Sequence, residues 1–176
     1  ADYFNYSLGF RGDVTEDISF DISGSYGSSK QVQTQKGYWL LSRVRNSLLG
    51  CPTTSDGCVG VDFFGPTGSI TDEQVAYLQG GESTITIKFD MLQFKGYLNG
   101  DTNFTLPWAN DSINFAVGGE YRKYTGSRES DLLSQSGDLG GAGGAAPNIF
   151  GGYDVYEAVG ELLIPITDQI TAEAGL

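Results

Sequence analysis

The chain has 176 residues, with 26 glycines, 10 phenylalanines, 10 tyrosines, no histidine and a formal net charge of -12. The lack of histidine excludes a Ser-His-Asp triad, a Cys-His pair and a histidine metal site, and we expect no catalytic residue, metal or cofactor. An acidic chain is also a poor nucleic-acid partner, because phosphate binding requires clustered Lys and Arg. No run approaches the ~20 apolar residues of a membrane helix, so any membrane crossing must be made by strands.

Two-residue alternation predicts strands along the chain, because successive strand side chains point to opposite faces. The apolar sides of the predicted strands are Phe4, Tyr6, Leu8 and Phe10; Ile18, Phe20, Ile22 and Tyr26; Ile85, Ile87, Phe89 and Met91, followed by Leu92, Phe94 and Leu98; Ile113, Phe115, Val117 and Tyr121; and Tyr156, Ala158, Leu162 and Ile164. The shift of phase in the third strand predicts a β-bulge near Met91. A sixth strand begins at Ile170. Each complete strand is near or above the ~9–11 residues that a tilted strand needs to cross a bilayer.

Short and long connections alternate between these strands. The turns at 14–17, 105–112 and 166–169 are short, whereas residues 34–82 and 126–152 form long connections. Outer-membrane barrels show this asymmetry, with short periplasmic turns and long outside loops. The predicted fold is therefore all-β: residues 1–176 form about six antiparallel strands of one larger transmembrane β-barrel domain. A soluble β-sandwich also fits the alternation, although it would not explain such long connections.

The first long connection is predicted to contain structure of its own. Residues 70–78 favour a short helix, with Thr71 and Gln74 in the positions of a capping box. Residues 38–49 favour a second, with Arg43 and Arg45 on its polar side. Cys51 and Cys58 are the two cysteines of the chain, and their spacing in a Gly-, Ser- and Thr-rich loop predicts a disulfide if the protein is exported. Metal binding is the weaker alternative, because two thiols provide half a site.

Several segments, in order along the chain, resemble TonB-dependent outer-membrane receptors of the alphaproteobacterial and xanthomonad type. The segments are 58–65 (CVGVDFFG), 68–71 (GSIT), 74–77 (QVAY), 118–122 (GGEYR) and 155–165 (VYEAVGELLIP). The first is similar to an outside-loop motif of the family, although Gly60 stands where such members have proline. The fourth is similar to a barrel strand of the family.

The resemblance implies a barrel of about 22 strands with a plug domain in its lumen. Such receptors lie in the bacterial outer membrane, in contact with its lipid. They import a scarce small-molecule nutrient, such as an iron chelate, cobalamin or a carbohydrate, with energy from the TonB-ExbB-ExbD system. The plug and the TonB-contacting region have no counterpart in this sequence, so we expect the chain to be an excerpt of a longer protein.

Two groups of residues are candidates for function. On the side opposite the apolar residues, Glu120, Arg122, Glu157 and Glu161 are expected to face the lumen, where Arg122 could meet Glu157 or Glu161 in an ion-pair ladder. The plainer alternative is that all four are simply solvated. Ligand-contact candidates in the first long loop are the aromatic residues Tyr38, Trp39, Phe63, Phe64 and Tyr77. They could stack on a sugar or a chelate, or else pack the core of the loop itself.

The glycine-rich segment 137–144 lacks the Gly-Lys-Ser/Thr ending of a phosphate-binding loop and is expected to be a mobile outside loop. Asp56, Asp62, Asp72 and Glu73 match no EF-hand spacing. Two further functions remain possible at this point: a passive porin without a plug, and a secreted β-sandwich for adhesion or carbohydrate binding. An enzyme is not expected, because no nucleophile and base are paired.

Overall fold

The computed structural model describes residues 1–52 and 57–176, and it contains one six-stranded antiparallel sheet and three short helices. The strands are β1 (Asp2–Asp13), β2 (Ile18–Gln35), β3 (Ser83–Thr105), β4 (Ser112–Ser130), β5 (Ile149–Thr167) and β6 (Ile170–Gly175). The helices are α1 (Leu41–Leu48), α2 (Asp72–Leu78) and α3 (Leu132–Ser136). The sheet is open and its strands pair in chain order. The all-β class and the six antiparallel strands are therefore confirmed.

The chain divides into two compact units. The loop unit comprises Lys30–Lys88 and Ser127–Phe150 together with Ala1, and the sheet unit comprises Asp2–Ser29, Phe89–Gly126 and Gly151–Leu176. Among the described residues, no helix is long and apolar enough to cross a membrane.

The sheet unit has two chemically different faces. One face is apolar and carries a groove of about 920 Å³ whose wall includes Leu8, Phe10, Ile22, Phe94, Tyr121 and Tyr156. These side chains are uncovered: Leu8 is 67% and Tyr156 77% exposed. The opposite face carries Ser25, Gln93, Glu120, Arg122 and Glu157, together with the rings of Tyr97, Tyr124 and Tyr153. The alternation in the sequence therefore becomes a real separation of faces.

The predicted bulge near Met91 is not needed to explain β3. Tyr26 Oη donates to Asp90 Oδ1 over 3.0 Å, and the Phe94 ring covers Gly24, where an added Cβ would lie 3.0 Å from the ring. Asp90 and Phe94 thus lie on the side of Tyr26 and Gly24, so alternation is unbroken between them. Between Asp90 and Phe94 the change of phase in the sequence is therefore a change in which face is apolar. An irregularity does occur between Pro165 and Thr167, where β5 pairs with β6.

The loop unit has a small core of its own. Among the described residues its buried apolar side chains are Leu40, Val61, Leu78 and Leu139. Helix α2 begins as predicted, because Thr71 and Gln74 form a reciprocal capping box. The predicted helix in 38–49 is α1. An isolated bridge between Trp39 and Gln79 lies within the first long connection, and one between Leu40 and Leu139 joins the first to the second.

Truncation of the most deeply buried apolar residue tests this core. Leu78 is 0% exposed, so Leu78→Ala should destabilise the loop unit by about 2–5 kcal/mol through lost burial and the cavity left behind. Hydrogen–deuterium exchange of the α1 and α2 amides measures the change. Leu132→Ala is the matched control, since Leu132 is 84% exposed. Equal exchange in the two variants would contradict the assigned core.

Candidate functional site

A row of polar side chains crosses β2 to β5 on the polar face of the sheet unit; we call Ser25, Gln93, Glu120, Arg122 and Glu157 the ladder. Ser25 Oγ donates to Gln93 Oε1 over 3.2 Å, and Gln93 Nε2 donates to Glu120 Oε1 over 2.6 Å. Arg122 Nε lies 2.7 Å from Glu120 Oε1. A terminal guanidinium nitrogen of Arg122 then donates to Glu157 Oε1. These side-chain contacts link four neighbouring strands, in addition to the backbone pairing of the sheet.

The guanidinium of Arg122 is the centre of the ladder. Its side chain is 28% exposed and lies between two carboxylates, Glu120 at 15% and Glu157 at 47% exposure. The contact with Glu120 is an ion pair without hydrogen-bond geometry, since Arg122 Nε has no hydrogen-bond partner. A second terminal nitrogen lies 3.5 Å from Tyr124 Oη, and the Tyr124 ring stacks on Tyr153 at 4.9 Å. Two carboxylates and a tyrosine hydroxyl therefore fix the position of this half-buried guanidinium.

Of the two pairings that the sequence allows for Arg122, the structure contains the one with Glu157. Glu161 is not part of the ladder, because it lies against the carboxyl group of Glu173 on β6. Ser25 and Gln93 were missed. Neither is marked by a local motif, because they meet across a sequence separation of 68 residues. Only the register of β2 against β3 identifies them.

In the loop unit, helix α1 depends on residues from distant parts of the chain. Its N-cap residue Leu40 makes no side-chain cap. Instead, Asp138 accepts hydrogen bonds from the Ser42 backbone N–H over 2.7 Å and from Ser42 Oγ over 2.5 Å. A carboxylate at a helix N-terminus is stabilised by the free N–H groups and by the helix dipole. Asp138, in the second long connection, therefore caps helix α1, in the first.

Arg43, predicted on the polar side of α1, is half-buried and binds the end of α2. A terminal nitrogen of Arg43 donates to the carbonyl oxygens of Tyr77 over 2.6 Å and Gln79 over 2.9 Å. Its guanidinium carbon lies 5.3 Å from the centre of the Tyr77 ring. Arg43 thus satisfies carbonyl groups at the end of α2, which suits a cation near a helix C-terminus. Arg45 is exposed, as predicted.

The disulfide between Cys51 and Cys58 is present, with the two Cα atoms 5.6 Å apart. Ser47 Oγ donates to the Val59 carbonyl oxygen over 2.7 Å, and Gln74 Nε2 donates to the Gly60 carbonyl oxygen over 2.8 Å. The segment after the disulfide is therefore held to both α1 and α2. Asp56 lies outside the described residues, and among those described no group of three or more Cys, Asp or Glu is placed to hold a metal.

The five predicted ligand-contact aromatics do not form one cluster. Tyr38 and Trp39 line a pocket of about 380 Å³ with Gly37, Leu41, Val44 and Gly140. The Phe63 ring lies 6.3 Å from the Trp39 ring at a tilted angle. Tyr77 is covered by Arg43, and Phe64 is 92% exposed. Tyr38 and Trp39 are therefore the two of the five that line this pocket.

Asp131 ties β4 to the start of β3 and begins α3. Its carboxylate accepts from the backbone N–H groups of Thr84 over 2.6 Å and Ser134 over 2.7 Å. Burial acts to raise the pKa of Asp131, but these hydrogen bonds outweigh it and hold that pKa below its ordinary value. The bonds stabilise the charged form, and so the folded state is favoured while Asp131 is ionised.

Comparison with protein-family models, with curated proteins and with solved structures finds no match for this chain.

The ladder predicts a measurable coupling between two specific residues. In a double-mutant cycle of Arg122→Met and Glu157→Gln, we expect about 0.2–1 kcal/mol of coupling, as for partly exposed ion pairs. Urea unfolding of the full-length protein measures it. The matched cycle pairs Arg122→Met with Glu161→Gln, for which we expect no coupling. Coupling of equal size in both cycles would show that Arg122 interacts with the overall charge of the polar face and not specifically with Glu157.

Asp131 predicts a pH dependence of defined sign. Because its folded-state pKa is lowered, its stabilisation is complete above the unfolded value near 3.9 and is lost as pH falls through the folded-state value. Hydrogen exchange of the Ser134 amide, measured between pH 3 and pH 7 and corrected for intrinsic rates, should show this loss. Asp131→Asn should flatten the dependence, and Glu129→Gln should leave it unchanged, since Glu129 is exposed. A pH profile that survives in Asp131→Asn would assign it to another group.

Proposed function

We propose that this chain is part of the wall and outside loops of a TonB-dependent outer-membrane receptor, a plugged β-barrel that imports a scarce small-molecule nutrient. The observation that carries the proposal is the two-faced sheet. Five strands of 12 to 23 residues expose an apolar, aromatic-rich groove on one side and a hydrogen-bonded polar ladder on the other. Lipid outside and water or protein inside is the setting in which both faces are satisfied.

The positions of the connections support the same proposal. In an antiparallel sheet ordered β1 to β6, the connections after β2 and β4 lie at one end, and those after β1, β3 and β5 lie at the other. The first pair, 36–82 and 131–148, are the long ones. Receptors of this class place long loops outside the cell and short turns in the periplasm. The resemblance of segments 58–65, 118–122 and 155–165 to that family adds a second, independent line of support.

Within this proposal each group of residues has a role. The apolar face contacts lipid, and the ladder stiffens the wall beside the lumen. The loop unit, with its disulfide and capped helices, lies outside and offers Tyr38 and Trp39 to a ligand. The open edges at β1 and β6 pair with strands from the rest of the barrel. Import itself also requires a plug domain and energy from the TonB-ExbB-ExbD system, which contacts another part of such a receptor.

A pair of neighbouring substitutions tests whether the apolar face meets lipid. Leu8 and Ser7 are adjacent on β1 and point to opposite faces. If lipid covers the apolar face, Leu8→Arg should destabilise the full-length protein by up to about 2–4 kcal/mol, depending on its depth. Ser7→Arg should be tolerated. The heat-modifiable mobility of the detergent-extracted protein on a gel gives the readout. Equal tolerance of both variants would indicate water on both faces and would contradict the barrel.

A growth experiment then separates an energised receptor from a passive porin. Cells lacking the full-length gene should lose high-affinity uptake of one nutrient, and loss of the TonB-ExbB-ExbD system should abolish the same uptake. Uptake that persists without that system would favour the porin. A product that is soluble without detergent would favour the β-sandwich instead.

A further inference from the structure

We propose that residues 137–144, the latch, form a docked strap that completes a binding pocket for a flat aromatic ring, and that latch docking and ring binding are coupled. The pocket is the 380 Å³ space lined by Gly37, Tyr38, Trp39, Leu41, Val44 and Gly140. All of these residues belong to the loop unit. The proposal concerns binding alone and holds whether or not the whole protein is an energised importer.

The latch is docked by three consecutive residues. Asp138 binds the start of α1 through its carboxylate, and its carbonyl oxygen accepts from the Leu41 N–H over 2.8 Å. Leu139 is buried at 5% exposure. The Gly140 N–H donates to the Trp39 carbonyl oxygen over 2.7 Å. The segment expected from the sequence to be mobile is therefore held in place at its first half.

Glycines with left-handed backbone bracket these docked residues. Gly137 has φ of 74°, and Gly141, Gly143 and Gly144 have φ of 90°, 83° and 102°. Glycine adopts such angles without the steric cost that a Cβ imposes, and it moves between backbone regions more readily than other residues. The docked residues 138–140 can therefore move away together, because the glycines on both sides absorb the change in backbone angles.

Latch docking and pocket shape are linked through Gly140 and α1. Gly140 forms one wall, and a Cβ there would lie 3.2 Å from both Leu41 Cδ2 and the Trp39 carbonyl oxygen. The first turn of α1, whose cap is supplied by Asp138, contributes Leu41 to the adjoining wall. Release of the latch thus removes one wall and the cap that orders the other. A ligand that touches both walls binds only the docked state and shifts the equilibrium toward it.

The lining selects the class of ligand. Two aromatic rings, two aliphatic side chains and the backbone of two glycines give a mostly apolar space without a charged side chain among the lining residues. Its volume falls within the range of small-molecule pockets. Rings stack on Tyr38 and Trp39 in offset or tilted arrangements. A neutral aromatic ring therefore fits better than an anion or a saturated ring.

The test uses the full-length protein and 4-nitrophenol at a pH where it is neutral, because its nitro group quenches a nearby indole. The quenching assigned to the pocket is the saturable part that disappears in Trp39→Phe. We expect that part to be present, and cyclohexanol, a saturated ring, should compete much less than phenol. No saturable quenching that depends on Trp39, or equal competition by the two alcohols, would overturn the aromatic-ring pocket.

The coupling is tested with Asp138→Asn, which keeps a hydrogen-bonding side chain but removes the charge that binds Ser42. Roughly ten-fold faster exchange of the Ser42 amide is expected, since hydrogen bonds to charged groups are the stronger ones. The affinity for 4-nitrophenol should fall by a similar factor. Glu129→Gln is the control and should change neither. A Ser42→Cys, Asp138→Cys disulfide should restore the affinity. Unchanged affinity in Asp138→Asn, with or without faster exchange, would overturn the coupling.

Discussion

Strand register is the constraint on which the other features of this chain depend. A Cβ added at Gly118 would overlap the Tyr97 ring, and one added at Gly24 would touch the Phe94 ring. These two glycine–aromatic contacts lie on opposite faces and fit only one pairing of β2, β3 and β4. A slip of one residue would move every side chain to the other face. A slip of β3 would separate Gln93 from Glu120 and turn Phe94 toward the polar side.

The loop unit shows how a small apolar core is supplemented. Four buried apolar side chains among the described residues cannot by themselves offset the ordering of so long a connection. The remaining stabilisation comes from polar groups that satisfy helix ends. Asp138 serves α1, the Thr71 capping box serves α2 and Asp131 serves α3. The disulfide limits the freedom of the unfolded loop. Carboxylates provide two of these three caps.

How much of the fold and of the ladder could be predicted depends on how far apart in the sequence the interacting residues lie. The strands follow from two-residue periodicity, and α2 follows from Thr71 and Gln74, which are three residues apart. The cap of α1 could not be predicted, because Asp138 lies 96 residues from Ser42. The same limit applies to Ser25 and Gln93 in the ladder. Helix α3 was missed although Asp131 and Gly137 are suitable end residues, because the glycines that follow dominate the composition of the segment.

The bonds of the loop unit differ in how easily they are undone, and this difference bears on how a ligand could enter. The disulfide and the hydrogen bonds of Ser47 and Gln74 hold the segment after Cys58 to α1 and α2. None of them involves the latch. The latch is held by the half-buried carboxylate of Asp138, a few backbone hydrogen bonds and one buried leucine, and it lies between glycines. Opening therefore costs least at the latch, while the segment after Cys58 stays bound to α1 and α2 and keeps the Phe63 ring beside Trp39 as a preformed surface. Because most of the lining is already ordered, binding costs less conformational entropy. The movable latch at the same time leaves the ligand a way into the pocket.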